Sequence, residues 1–245
     1  MQDGKLGAFA APFERDRKEV TLPSGRRVTV LETTGREEKI LSQLGNVDRY
    51  DKINEYLAGV TEGLDGKEGR AEPSAFEPML TGDRTYILMC ARVLTHGPVL
   101  THTLECESVS CGQSSEHEIS IQDMIDQVQP YPDGDRREFS VKLDAGVLYF
   151  DMPTGKTERK IAHLPDPDLN SKYRCINLWE IVEGRGKLPV EFDNLKSKHI
   201  NALRKELKSH ECRIDTVVTV ECPYCHLKST FDSVGVRGFL FPGST

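Results

Sequence analysis

The chain lacks several features by which common protein classes are recognised. No apolar run approaches the length needed to cross a bilayer, so we expect no transmembrane helix and no membrane partner. Basic residues are not in excess, since 32 Lys and Arg face 39 Asp and Glu and the formal net charge is −7. A general binder of phosphate backbones is expected to be basic, so this balance argues against nucleic acid as a partner.

Catalytic motifs are missing as well. The seven histidines are scattered, and neither a His-Glu-x-x-His zinc motif nor a Gly-x-Ser-x-Gly nucleophile motif occurs. Residues 23–26 and 153–156 each contain Gly followed by Arg or Lys, but both segments are too short for a phosphate-binding loop and are interpreted as turns. The sequence therefore predicts a protein that is not an enzyme and has no catalytic residues.

The cysteines do not form an even set. There are seven, which is awkward for a disulfide framework, and the opening residues carry no apolar signal core. We therefore expect a reducing compartment, in which paired cysteines more often hold a metal. Cys90, Cys175 and Cys212 lie among apolar or helix-forming residues and are predicted to be buried free thiols.

One cysteine pair stands out from this set. Residues 216–221 alternate between apolar and polar, as in a strand with one buried face, and lead directly into Cys222-Pro-Tyr-Cys225. A spacing of two residues is that of a zinc knuckle, a tight turn that directs two thiolates at one ion. One knuckle supplies only half of a tetrahedral site.

The second half of the site is predicted at Cys106 and Cys111. This pair is separated by four residues and also follows an alternating stretch, residues 100–105. Four thiolates complete a tetrahedral shell and leave no open position for water, so the predicted cofactor is one structural Zn²⁺ per chain. Because the metal would join distant segments, its binding should contribute directly to folding.

Other interpretations of these cysteines remain open. The four could be unrelated buried thiols, or His102, His117 or His226 could replace a thiolate. Cys-Pro-Tyr-Cys is also a redox tetrapeptide, but such pairs sit at the start of a helix. The residues after Cys225 instead have the pattern of a strand, so the redox interpretation is disfavoured.

The predicted fold class is α+β, with two pseudo-repeated hairpin–helix–strand halves joined by a four-cysteine zinc ribbon. The Pro- and Gly-rich stretch near residue 130 is the clearest linker signal. We predict an N-terminal arm (1–18), a first half (19–129), a linker (130–137) and a second half (138–245). The same order of elements in both halves indicates a duplication.

Local patterns predict the individual elements. The predicted strands form hairpins at 19–32 and 138–151 and flank both cysteine pairs. Asp83 is a predicted helix cap. The predicted helices cover 34–45, 51–63, a stretch that begins at Asp83, a short stretch at 178–182 and the segment 195–208, with 62–77 as a loop.

Several segments together resemble the baseplate hub and tail assembly family of contractile-tailed bacteriophages. The resemblance covers most of residues 19–242, and these segments carry it: residues 22–30, 34–39, 178–182, the predicted helix through Leu203, 220–225 and 239–242. It implies a non-enzymatic role in virion assembly, either as a component of the baseplate hub or as a factor that helps the hub or tape-measure protein assemble. The implied location is the tail baseplate, and the host cytoplasm during assembly.

The resemblance also implies partners. These would be other tail proteins, namely hub, tube or tape-measure, in a symmetric assembly. The apolar patches 7–13 and 238–242 are the predicted contact segments. Functional residues follow from the resemblance only for Cys106, Cys111, Cys222 and Cys225, and the spacing of the first pair is wider than is usual in zinc ribbons.

Two functions of other classes compete with this one. A zinc-ribbon protein that binds nucleic acid in transcription or replication would share the cysteines, but the acidic charge and the lack of a basic stripe count against it. A metal-dependent or thiol enzyme would be revealed by metal-dependent turnover or by a rapidly alkylated Cys222.

Overall fold

A computed structural model of the chain describes residues 14–42 and 49–234. The mixture of helix and strand confirms the predicted α+β class. The proposed contact segments 7–13 and 238–242 lie outside the described residues. Among the described residues, no helix is both long and apolar enough to span a bilayer.

The described chain contains seven α-helices and eleven strands, and the bounds of these elements follow. The helices are α1 (Gly35–Ser42), α2 (Arg49–Gly59), α3 (Thr81–His96), α4 (Ile121–Asp126), α5 (Gly155–Ala162), α6 (Ser171–Cys175) and α7 (Ser197–His210). The strands are β1 (Arg17–Thr21), β2 (Arg27–Leu31), β3 (Thr61–Glu62), β4 (Val99–Glu105), β5 (Ser114–Ser120), β6 (Glu138–Leu143), β7 (Gly146–Asp151), β8 (Leu178–Val182), β9 (Gly186–Pro189), β10 (Val217–Glu221) and β11 (Lys228–Asp232).

The first half is built on an antiparallel sheet in the order β1-β2-β3. Its predicted hairpin is confirmed: the turn closes where the Gly25 N–H donates to the Leu22 carbonyl, and Gly25 has the positive φ of 88° that glycine adopts readily. Val28 and Val30 of β2 are buried. Helix α3 packs against β2, so the sheet and this helix enclose the first core.

The predicted cap at Asp83 is wrong. Leu80 occupies the N-cap position of α3, and Asp83 lies inside the first turn with no solvent exposure. Its Oδ1 accepts a hydrogen bond of 2.9 Å from the Ser24 backbone N–H, which ties α3 to the hairpin turn. Burial raises the pKa of Asp83, and the hydrogen bonds from Ser24 only partly offset this.

The second half is built on a sheet in the order β6-β7-β8-β9, and one predicted helix is a strand here. Leu178–Val182 is β8, which pairs with β7 through Phe150 opposite Leu178 and Tyr149 opposite Trp179. This run of five residues satisfies both helical and strand spacing, and its aromatic cross-strand partners Tyr149 and Phe150 decide in favour of the strand. Helix α7 packs on β6 and buries Leu203 and Leu207.

The segment predicted as a linker is packed between the halves. Tyr131 is 7% exposed, and its hydroxyl accepts a hydrogen bond of 2.9 Å from the Gly82 N–H at the start of α3. The Tyr131 N–H donates to the Pro23 carbonyl at 3.1 Å. The other side of residue 130 is held by the second half, because the Gln129 N–H donates to the Arg213 carbonyl at 3.0 Å.

Helix α5 of the second half docks on the first half around the buried Arg84. The Arg84 Nη1 donates to the Asn54 Oδ1 and to the Phe76 carbonyl, both at 2.7 Å. Its Nε donates to the Glu158 Oε2 of α5 at 3.0 Å, and the Tyr50 hydroxyl donates to the same oxygen. This polar joint connects α2, α3 and α5.

Candidate metal centre

Two antiparallel ribbons, β4–β5 and β10–β11, face each other and carry the four predicted cysteines at their tips. Leu100 and Ile119 of the first ribbon belong to one apolar cluster with Val218 and Phe231 of the second. The ring centroids of His102 and Phe231 are 5.2 Å apart. The alternation seen in the sequence therefore places one side of each ribbon against the other, as the predicted strands require.

Each ribbon ends in a tight turn that starts from the first cysteine of its pair. The Cys106 N–H donates to the Gln113 carbonyl at 3.0 Å, and the Cys222 N–H donates to the Leu227 carbonyl at 2.9 Å. In both turns the residue after the second cysteine has positive φ: Gly112 at 54° and His226 at 61°. The two turns thus share a bend directly after the second thiol, although their cysteine spacings differ.

The turns bring the four sulfurs together. The Sγ atoms of Cys106, Cys111, Cys222 and Cys225 all lie within 4.8 Å of one another. The closest distances join the two ribbons: 3.5 Å from Cys106 to Cys225 and 3.8 Å from Cys111 to Cys222. A disulfide needs about 2.05 Å between sulfurs, whereas a tetrahedron with metal–sulfur bonds of 2.3 Å has edges of about 3.8 Å. The spacing fits a shared metal ion.

The electrostatics of the cluster favour a cation at its centre. Backbone N–H groups of Tyr224 and Cys225 lower the pKa of Cys222 to about 7. At Cys106 the Ser108 N–H also favours the thiolate, but desolvation and the neighbouring Cys225 outweigh it and raise the pKa to about 12. Crowded thiols that cannot all ionise alone can do so around a divalent metal, because its charge stabilises every thiolate.

The cluster lies near the surface and consists of thiols. Cys222 is buried, Cys106 and Cys111 are half-buried, and Cys225 is exposed. Among the described residues, no histidine or carboxylate joins the group. The His226 Nδ1 donates to the Glu221 Oε1 at 2.8 Å, and the His117 Nε2 bonds the Ser115 Oγ at 2.9 Å.

This geometry leaves the other three cysteines outside the cluster and disfavours the redox interpretation of Cys222 and Cys225. Cys90 and Cys175 are buried and Cys212 is half-buried, and none of the three belongs to the cluster. The element that follows Cys225 is strand β11, so Cys222 does not sit at the start of a helix as a thioredoxin-type cysteine does.

The polar joint at Arg84 was not found from the sequence, although a signal exists. Position 84 falls on the helical stripe with Ile87 and Ala91, both fully buried. An arginine on a buried stripe indicates a buried polar partner. Asn54 is that buried partner, and the ion-pair partner Glu158 is half-buried and distant along the chain, so no local pattern identifies it.

We compared the chain with protein-family models, with curated proteins and with solved structures, and none matches. The resemblance to tail assembly proteins therefore stays a prediction.

Proposed function

We propose that the protein is a non-enzymatic structural or assembly protein of a bacteriophage tail baseplate hub, stabilised by one structural Zn²⁺ on Cys106, Cys111, Cys222 and Cys225. The observation that carries the structural part is the four-thiol cluster, whose members come equally from two ribbons. The baseplate part is supported by the sequence resemblance.

The chemistry of the donor set favours zinc in a structural role. Thiolates prefer soft or borderline metals, and four of them around one ion is the usual closed structural zinc shell. A closed shell has no position for a substrate or a reactive water. The ion would act as a clamp, because its ligands lie more than a hundred positions apart in the chain.

Two ribbons held rigidly by a metal ion suit a protein that must bind its partners in one fixed orientation. Preorganised surfaces lose less conformational entropy on binding, so a metal-held element is an efficient contact. The partners we propose are other tail proteins (hub, tube or tape-measure) in a symmetric assembly. The proposed location is the virion tail, with the host cytoplasm during assembly, and we propose no nucleic acid or membrane partner.

Affinity purification from producing cells tests this function. The tagged chain is recovered, and its co-purifying proteins and nucleic acid are identified by mass spectrometry and sequencing. We expect tail hub or tape-measure proteins. Recovery of RNA polymerase subunits or nucleic acid would contradict the proposal and support the zinc-ribbon regulator instead.

A further inference from the structure

Exposed apolar side chains concentrate on the clasp, the name used here for residues 99–120 and 215–232 with their four cysteines. Single exposed apolar residues are normal on any protein surface and need no explanation. Here the distribution is uneven. Of the eight large apolar residues that are exposed in the described chain, five belong to the clasp: Val99, Val109, Val217, Tyr224 and Leu227.

Three of these residues lie next to the cysteine cluster, and we call them the tip. Val109 is fully exposed, Tyr224 is 62% exposed and Leu227 is 40% exposed. Each lies within two positions of a cluster cysteine, a span of about 7 Å at most, and the four sulfurs lie within 4.8 Å of one another. The backbone of all three tip residues therefore lies close to one cysteine cluster at the end of the two ribbons.

Negative charge is concentrated on the clasp, and Glu105 and Glu107 lie beside the tip because they flank Cys106. The clasp contains seven acidic residues and one Lys or Arg residue, Lys228, whereas the rest of the chain, with 32 acidic residues against 31 Lys and Arg, is nearly balanced. Of the acids, Glu221 pairs with His226. Among the described residues, no salt bridge neutralises the four glutamates of the first ribbon: Glu105, Glu107, Glu116 and Glu118. Four thiolates around one divalent ion would add to this negative charge.

We propose that the tip is a docking site for a basic segment of a partner protein that carries an apolar anchor. The three tip residues would contact the anchor, and Glu105 and Glu107 would pair with Lys or Arg next to it. Nucleic acid does not fit, because its phosphates would meet the same acids. This inference rests on the proposed structural role and names the class of partner that the role requires.

A photo-crosslinking amino acid at position 109 tests the docking site in cells that produce the protein with its natural partners. Leu169 is the matched control position, because it is also apolar and 95% exposed but lies outside the clasp. We expect position 109 to crosslink to one defined protein segment with net positive charge, and position 169 to give no such product. Equal crosslinking at both positions, an acidic partner segment or a nucleic acid product would each overturn the proposal.

A substitution then tests the contribution of the tip. Tyr224→Ser should weaken capture of the crosslinked segment by about tenfold, the usual effect of truncating an aromatic anchor. Ile181→Ser is the control, since Ile181 is 58% exposed on the second sheet. Both variants should keep the metal and the melting temperature. Equal capture by the two variants would contradict the docking site.

The outcomes for the docking site and for the proposed function are distinguishable. If Tyr224→Ser still co-purifies with tail proteins at the normal level, the docking site is wrong and the baseplate role stands. If position 109 crosslinks to a basic, apolar segment of a protein outside the tail, the docking site stands and the baseplate role is wrong.

Discussion

Apart from α4 in the first half and β9 in the second, the described elements of the two halves come in a similar order. The halves join the rest of the molecule differently. Each starts with a hairpin, continues with two helices and adds a strand to the second strand of the hairpin. Each then has a long helix, α3 or α7, that packs on its own sheet, and ends in a ribbon with a cysteine pair. The duplication stays a prediction, to be tested by superposing an experimental structure of each half.

The difference lies in the position of the long helix. Helix α3 contacts its own sheet, the α5 helix of the other half and the segment around Tyr131, and it buries both Asp83 and Arg84. Helix α7 packs on β6, and much of its surface is exposed. Two stretches with similar local patterns can thus have unequal structural roles, because the role depends on which neighbours the helix meets.

The largest expected effect concerns the ligands that the two halves share. Cys106→Ser and Cys222→Ser should each lower the free energy of unfolding by several kcal/mol, because each removes one ligand from the same ion. Chemical denaturation measures this. Cys175→Ser is the control: it is buried away from the cluster and should keep the metal. A large loss for Cys222→Ser with none for Cys106→Ser would show that the halves do not share a site.

The next effect concerns the joint, which has no counterpart on α7. Arg84→Met should destabilise the protein by roughly 3 kcal/mol, because it leaves the buried oxygens of Asn54 and Phe76 without this donor. It also removes the cation from the Glu158 carboxylate, which keeps only the hydrogen bond from Tyr50.

Arg159→Ala is the control, because Arg159 also forms ion pairs between α5 and the first half. Its side chain is 44% exposed and its ion pairs are long, so roughly 0.5 kcal/mol is expected. Similar losses for both would contradict a buried joint.

A smaller effect compares the first residues of α1 and α5, both of which are glycine. A Cβ at Gly155 would lie 2.5 Å from the Phe76 carbonyl oxygen, whereas a Cβ at Gly35 would meet nothing within 4 Å. Gly155→Ala should therefore cost about 1–3 kcal/mol through overpacking, and Gly35→Ala should be neutral or slightly stabilising. Thermal melting of the two variants checks this, and equal melting temperatures would contradict the close docking of α5.

The smallest effect is a pH dependence of opposite sign in the two hairpin turns. In the second turn, Lys198 and then His199 lower the pKa of Asp144 to about 2. Its stabilising contribution is therefore present above the unfolded pKa of about 4 and is lost as the pH falls towards 2. Burial raises the pKa of Asp83, which bonds the first turn, so its charged form destabilises the fold and protonation at falling pH relieves this.

Acid titrations of stability in two variants separate these contributions. Asp144→Asn should flatten the stability profile between about pH 4 and 2. Asp83→Asn should instead remove the part of the profile in which stability is regained as the pH falls. Profiles that shift in the same direction would contradict the assigned environments of the two carboxylates.

How much the sequence predicts depends on the range of the interactions. The hairpins, the ribbons and each cysteine pair follow from alternation, turn residues and spacing within about ten positions, so local reasoning finds them. The joining of the two pairs follows instead from the four ligands that a closed zinc shell needs. Leu178–Val182 is ambiguous locally, and its partners Tyr149 and Phe150 decide its structure. Asp is a residue type that often caps helices, but the Asp83 carboxylate instead accepts a buried hydrogen bond from the Ser24 N–H. Long-range contacts of this kind leave no local signal.

The central claim is that one metal ion is shared by both ribbons. Native mass spectrometry of the wild-type chain and of a double Cys106→Ser/Cys111→Ser variant, each purified without chelator, tests it most directly. The account predicts one zinc in the wild type and none in the variant, because two thiolates alone do not complete a tetrahedral shell. A variant that keeps its zinc on Cys222 and Cys225 would contradict the shared site.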